Sequence, residues 1–185
     1  VFFFPAVFSS LIIGYLWNFI MSSSDFGLIN NILHQLGLGT LNFFTSKNAL
    51  YSVILTQIWQ WTGWAMVIFL ANLQSISPDL YEAAEIDGAN GLKKFMYVTL
   101  PLMCPSVKIV IVTGLIGGMK VFDIIYVITN GGPGFDTQVL ATYTYQSFSL
   151  GFLGESSAGS VILAVIVVII SFTMNRYFTK REVEM

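Results

Sequence analysis

The chain has 185 residues, of which 55% are hydrophobic and 10% charged, with a mean hydropathy of +0.75. A soluble domain carries about 25% charged residues, so water is not the main solvent, and a net charge of −2 excludes the basic face that nucleic acid requires. One cysteine, Cys104, and one histidine, His34, leave no disulfide within the chain and no ligand cluster at metal-site spacing.

The apolar residues gather into four stretches near the roughly 20 residues that a membrane helix needs. Val1 already lies in such a stretch, with neither a basic leader nor a cleavage site after it, so the start reads as a truncation with helices missing upstream. Residues 2–21 form the first expected span, which ends at the polar run Ser22-Ser23-Ser24-Asp25. Residues 22–48 are expected as an outer loop with a short surface helix near 28–36, on which His34 is a polar residue and not a ligand.

The second expected span covers residues 49–73. Gln57, Gln60, Trp61 and Trp64 recur there at i, i+3, i+4, i+7, a spacing that places two amides and two indoles on one helical face. Side-chain amides can hydrogen-bond a polar solute and indoles can stack on it, so these four residues are candidates for a substrate path. The other reading makes Trp59, Trp61 and Trp64 part of an interfacial aromatic belt. Against it, amides near mid-span face protein or water and not lipid.

Residues 75–105 are the one charge-dense internal segment. Ser77 suits a helix N-cap, Pro78 the first helical position and Asp79 the helix dipole. Gly88 can take φ > 0 and end that helix, and Asn90 can cap a second one running to Tyr97 or Val98, before Pro101 disrupts continuation into the third span. The expected product is a helix-turn-helix outside the bilayer.

The third span is expected at residues 106–128. Gly114, Gly117 and Gly118 permit close helix approach, and Gly114, Gly118, Val121 and Phe122 are candidates for the opposing wall of a path. Lys120 and Asp123, at i, i+3, would be costly in lipid and are read as a structural ion pair in preference to a transport element. Residues 131–156 form a second outer loop in which Gly131-Gly132-Pro133-Gly134 is a rigid turn, either a plain connector or a contact for an external protein. The fourth span is expected at residues 157–177, followed by a charged tail at 178–185.

Lys93, Lys94 and Lys108 lie in or beside 75–105, and Arg176, Lys180 and Arg181 follow or close the last span, whereas the outer loops contribute only Lys47. That asymmetry puts the charge-dense segment and both ends of the chain in the cytosol. Spans of this length satisfy their backbone amides as helices, so the fold class is an all-α membrane protein.

Glu82-Ala83-Ala84, three residues, Gly88, nine residues, Val98, one residue and Leu100-Pro101 together resemble the EAA loop of permease subunits of ABC importers, with Val98 where isoleucine is usual. Glu85-Ile86-Asp87-Gly88-Ala89, Thr129-Asn130-Gly131-Gly132-Pro133 with Thr137, Phe4-Pro5-Ala6 with Trp17, and Gly27-Leu28-Ile29-Asn30 are similar to the carbohydrate-uptake branch of that family. The resemblance implies four transmembrane helices of an ABC type I importer permease core carrying a cytosolic coupling loop, in the bacterial cytoplasmic membrane. Glu82, Ala83, Ala84, Asp87, Gly88, Leu100 and Pro101 would dock an ATPase.

The partners that it implies are a second homologous permease, two ATP-binding subunits and an extracytoplasmic solute-binding protein that delivers sugar. No catalytic residue, metal or directly bound cofactor is expected, ATP and Mg being held by the partner ATPase, and no phosphate-binding Gly-x-x-x-x-Gly-Lys-Ser/Thr stretch occurs. The alternatives are a permease of the same kind for a polyol phosphate, amino acid or peptide, and an ion-driven secondary transporter. The last should show broken helices with mid-span carboxylates, and Asp123 alone answers to that.

Overall fold

The computed structural model describes residues 2–24 and 26–179, and every regular element among them is a helix. In chain order these are α1 (Phe4–Val7), α2 (Ser10–Ile20), α3 (Leu28–Gln35), α4 (Ala49–Ser75), α5 (Pro78–Ile86) and α6 (Gly91–Lys94). A π-helical turn at Phe95–Thr99 continues into α7 (Leu100–Leu102), and α8 (Cys104–Met119), α9 (Asp123–Ile128), α10 (Leu140–Ser149) and α11 (Leu153–Thr179) follow. Of the expected tail at 178–185, Phe178 and Thr179 close α11, and residues 180–185 lie outside the described residues.

Two of the expected spans are single long helices and two are interrupted. At about 1.5 Å per residue, the 27 residues of α4 and of α11 each reach about 40 Å, beyond the roughly 30 Å of a bilayer core. Residues 2–21 are not one helix: Phe8 and Ser9 are extended, Ser9 accepts from the amide of Leu11, and α2 restarts as an 11-residue piece. Residues 106–128 are also interrupted, because α8 stops at Met119 and α9 starts at Asp123. Gly117 and Gly118, weak helix formers, immediately precede that break.

The chain forms two compact units, Val1–Gly63 with Met119–Ile166, and Trp64–Gly118 with Val167–Met185. In the first, α2 packs on α9 around Ile13, Val53, Ile124, Ile125 and Ile128. A Cβ on Gly14 would meet the Val127 side chain at 3.0 Å, and Asn18 Nδ2 donates to the carbonyls of Val127 and Ile128 at 3.2 Å each, satisfying the open C-terminal end of α9.

The buried stripe of α4 in this unit is Ala49, Ser52, Val53, Thr56, Gln60 and Gly63. It is built from small residues, and at Gly63 a Cβ would fall 1.9 Å from the Phe2 carbonyl oxygen. The Ser52 hydroxyl donates to Phe43 O and Asn48 O, and Thr56 to Ser52 O, so neither carries an unmade bond into the interior.

Both outer segments hold more structure than a connector. The surface helix expected near 28–36 is α3 at Leu28–Gln35. Asn30, 3% exposed, ties its loop together by donating to Ser22 O and Leu41 O and accepting from Leu41 N at 2.8–2.9 Å. Residues 131–156 contain α10 and the first turn of α11. Their start is a closed turn in which the Thr137 hydroxyl donates to Gly132 O at 2.8 Å and lies 2.7 Å from the Thr129 hydroxyl. Gln146 donates to Asn130 O and accepts from Gln138, which fastens α10 to that turn.

In the second unit, the path from Gly91 to Leu102 bends by 60° into α8. The bend differs from the sequence expectation, which placed the disruption at Pro101. Pro101 is accommodated inside α7, just after the π-helical turn, and the axis changes at Met103. Two residues on, Pro105 has no N–H to offer the carbonyl of Pro101 and its ring crowds that carbonyl. Ser106 holds the start of α8 by donating to Asn72 Oδ1 at 3.1 Å and Met103 O at 2.8 Å.

Candidate functional site

The segment 77–102 builds an elbow. Ser77 caps α5 by accepting from Asp79 N, Pro78 takes the first helical position and Asp79 lies in the first turn, as the sequence grammar required. The helix ends in a Schellman motif: Ala89 N donates to Ala84 O and Gly88 N to Glu85 O, both at 2.9 Å, with Gly88 at φ +76°. Asn90 then caps α6 by accepting from Lys93 N at 3.0 Å.

Two contacts hold the arms of the elbow together, and both escaped the sequence reading. Lys94 Nζ donates to Glu85 Oε1 and forms an ion pair with it across the turn. That hydrogen bond, and then the charge of Lys94, hold the Glu85 carboxyl below the usual carboxylate range. The hydroxyls of Tyr81 and Thr99 lie 3.1 Å apart, which joins α5 to the π-helical turn. Nothing in a charge or hydropathy pattern pairs residues nine or eighteen positions apart across a turn.

The elbow presents its motif outward. Glu82, Ala83, Asp87, Gly88, Leu100 and Pro101 are exposed and Ala84 is half-buried. Ile86, Leu92 and Tyr97 are 88%, 72% and 79% exposed. Exposed apolar side chains of this kind occur at protein–protein and membrane contact surfaces.

The four residues expected to share one face of α4 do not have one environment. Gln60, 1% exposed, belongs to the buried stripe, and its Nε2 donates to Phe8 O at 3.4 Å and to Ser10 Oγ at 3.2 Å. It serves the backbone at the interruption between α1 and α2. Gln57 and Trp64 are half-buried beside the stripe, and Trp61 is turned further out at 42% exposure. The Oε1 atoms of Gln57 and Gln60 are buried without a hydrogen-bond partner in the protein, and Trp59 stands edge-on to Trp17 at 5.5 Å.

The opposing wall is rearranged as well. Gly114 and Gly118 face open space on α8, but the interruption after Met119 ends the helical registry that was to align them with Val121 and Phe122. Val121 packs on the core of the first unit. Phe122 joins Tyr126 and Tyr145 in a three-ring cluster with centroids 5.1–5.2 Å apart. The Lys120–Asp123 ion pair is not formed: an i, i+3 pair needs a continuous helix, and the only salt bridge among the described residues is Lys94–Glu85. The sequence reading found Phe122 but not its partners, although Phe122 and Tyr126 stand at i, i+4.

Long apolar helices joined by a capped and exposed elbow define this chain as an all-helical membrane protein. Residues 2–182 match the family described as "binding-protein-dependent transport system inner membrane component", and the chain belongs to that family. It is 38% identical over 84% of its length to the trehalose/maltose transport system permease protein of Thermococcus litoralis, covering 52% of that protein. It is 33% identical over 91% of its length to the arabinooligosaccharides transport system permease protein of Bacillus subtilis, covering 55% of it.

A solved bacterial alginate ABC transporter, in complex with an alginate pentasaccharide-bound periplasmic protein, contains a chain of the same fold. The match has a TM-score of 0.83 at 28% identity and covers 95% of this chain and 62% of that one. The chain thus spans about half the length of the curated relatives named here.

Proposed function

We propose that the protein is the permease subunit of an ATP-driven, solute-binding-protein-dependent sugar importer in the bacterial cytoplasmic membrane. The observation that carries this reading is the elbow: a Glu82-Ala83-Ala84 helix ended by a left-handed Gly88 and flanked by bare apolar side chains. Family membership and the sugar-transport functions of the relatives support it.

In this reading the chain contributes four crossings, two as single helices and two interrupted. The elbow lies in the cytosol and the segments 22–48 and 131–156 lie outside. A second homologous permease completes the path, two ATP-binding subunits hold ATP and Mg, and an extracytoplasmic protein delivers sugar. The elbow acts as a lever: Glu85–Lys94 and Tyr81–Thr99 tie α5 to α6 and to the π-helical turn. Displacement of α5 by a closing ATPase would reach α8 through those contacts and the 60° bend. ATP binding would then bias the balance between outward- and inward-facing states. Gln57, Trp61 and Trp64 remain path residues in this proposal, placed on α4 beside its buried stripe.

Co-purification with the ATPase subunit tests the reading. Glu82→Lys and Gly88→Pro should each lose the ATPase and sugar uptake while the permease still reaches the membrane. Normal assembly and transport by both variants would refute the docking role.

A further inference from the structure

Within the first unit an open groove of about 330 Å³ lies between α10, the start of α11 and Phe122. This volume is at the lower end of the roughly 300–1,000 Å³ of small-molecule sites. Phe122, Tyr145 and Phe148 give it ring faces, and Thr144, Ser156 and Ser160 give it hydroxyls. Phe148 is 61% exposed, so its face is open to a ligand, while Tyr145 is held in place by Phe122 and Tyr126.

The hydroxyls have a defined polarity. Thr144 already donates to Leu140 O and Ala141 O, and Ser160 to Ser156 O. Each hydroxyl has one proton, so what these two present to a ligand is lone pairs. α10 and α11 are also held close, a Cβ on Gly159 falling 2.4 Å from Thr144 Cγ2, which fixes the spacing of rings and hydroxyls.

No charged side chain lines the groove. The charged residues nearest to it in the chain are Lys120, Asp123 and Glu155, net negative, and the Glu155 carboxylate accepts from the Tyr143 hydroxyl. An anionic sugar needs cationic donors to replace its water, and the lining holds none.

We propose that this groove binds one ring of an uncharged saccharide, its apolar face on Phe148 and Tyr145 and its O–H groups donating to Thr144 and Ser160. The inference rests on the importer reading and extends it to substrate class: neutral carbohydrate, not acidic.

The test uses the assembled transporter in nanodiscs and vesicles, with Cys104→Ser as background. Uptake of trehalose, an arabinooligosaccharide and an alginate pentasaccharide is measured first. Failure to take up any of the three sinks the sugar-importer reading together with the subsite. Uptake of the alginate oligosaccharide alone overturns the subsite only.

Maleimide labelling of Phe148→Cys, with Phe135→Cys as an exposed control outside the groove, is then followed with and without the transported sugar. The expected result is a several-fold slowing at Phe148→Cys by the neutral sugar and none at Phe135→Cys. Equal labelling rates with and without sugar overturn the proposal while leaving the importer reading intact. So does a Phe148→Cys thiol that never labels in the assembled complex, which would mean that a partner subunit covers the groove.

Discussion

Gly88→Ala isolates the backbone geometry of the elbow from its contacts. Gly88 has φ +76°, and a Cβ there would meet nothing within 4 Å, so the substitution adds no clash. What it adds is the left-handed conformation of an L-residue, about 1–2 kcal/mol. If the ATPase recognises α5 at the angle that the Schellman motif sets and the strained turn relaxes in the free permease, its affinity for the elbow falls by up to the same free energy, roughly 5- to 30-fold. Gly91→Ala is the matched control, because Gly91 also has nothing within 4 Å but lies in α6, where alanine is the better helix former. Titration of ATPase subunits onto nanodisc-held permease, read by light scattering or fluorescence, measures both. A loss at Gly88→Ala with none at Gly91→Ala is expected; equal affinities for the two variants would refute the reasoning.

Three further outcomes are expected. Gly63→Ala forces a Cβ to within 1.9 Å of a backbone oxygen, which no side-chain rotation relieves, so destabilisation at or above the overpacking range of about 1–3 kcal/mol should appear as a lowered melting temperature; an unchanged melting point would contradict the packing of α4 on residues 2–3. Gln60→Leu removes the donor to Phe8 O and should cost about 1 kcal/mol of stability as well as uptake, whereas Gln57→Leu should impair uptake alone; equal melting curves for both would return Gln60 to the path. Because Lys94 depresses the Glu85 carboxyl, the pair should stay charged at neutral pH and be lost as pH falls through that lowered value. A ¹³C titration of Glu85 should therefore have its midpoint below the ordinary glutamate value, and Lys94→Gln should raise it; a midpoint indifferent to Lys94 would remove the pair from the elbow.

The sequence reading succeeded where one residue determines one local geometry. Ser77, Pro78, Gly88 and Asn90 act on backbone groups within three or four positions, so the elbow could be read from their order. Length and hydropathy likewise identified α4 and α11, since a long apolar run has few other solutions. Polar residues stand at both interruptions, Ser9 and Ser10 at the first and Lys120 and Asp123 at the second, but hydropathy averaged over a whole span reports a change of solvent, not a change of helix axis. Gln60 shows the same limit. Periodicity put it on a face with Gln57, Trp61 and Trp64, but which side of α4 meets α1 and α2 depends on small residues such as Gly63, whose role emerges only when another backbone lies against it. The groove between α10 and α11 joins residues more than 40 positions apart, and no local pattern announces it.

Sugar uptake by vesicles holding the assembled transporter is the most direct measurement of the proposed function. Accumulation should require both ATP inside and a loaded solute-binding protein outside, and should vanish with Glu82→Lys. Accumulation that persists without ATP, or that is driven by an ion gradient alone, would contradict it.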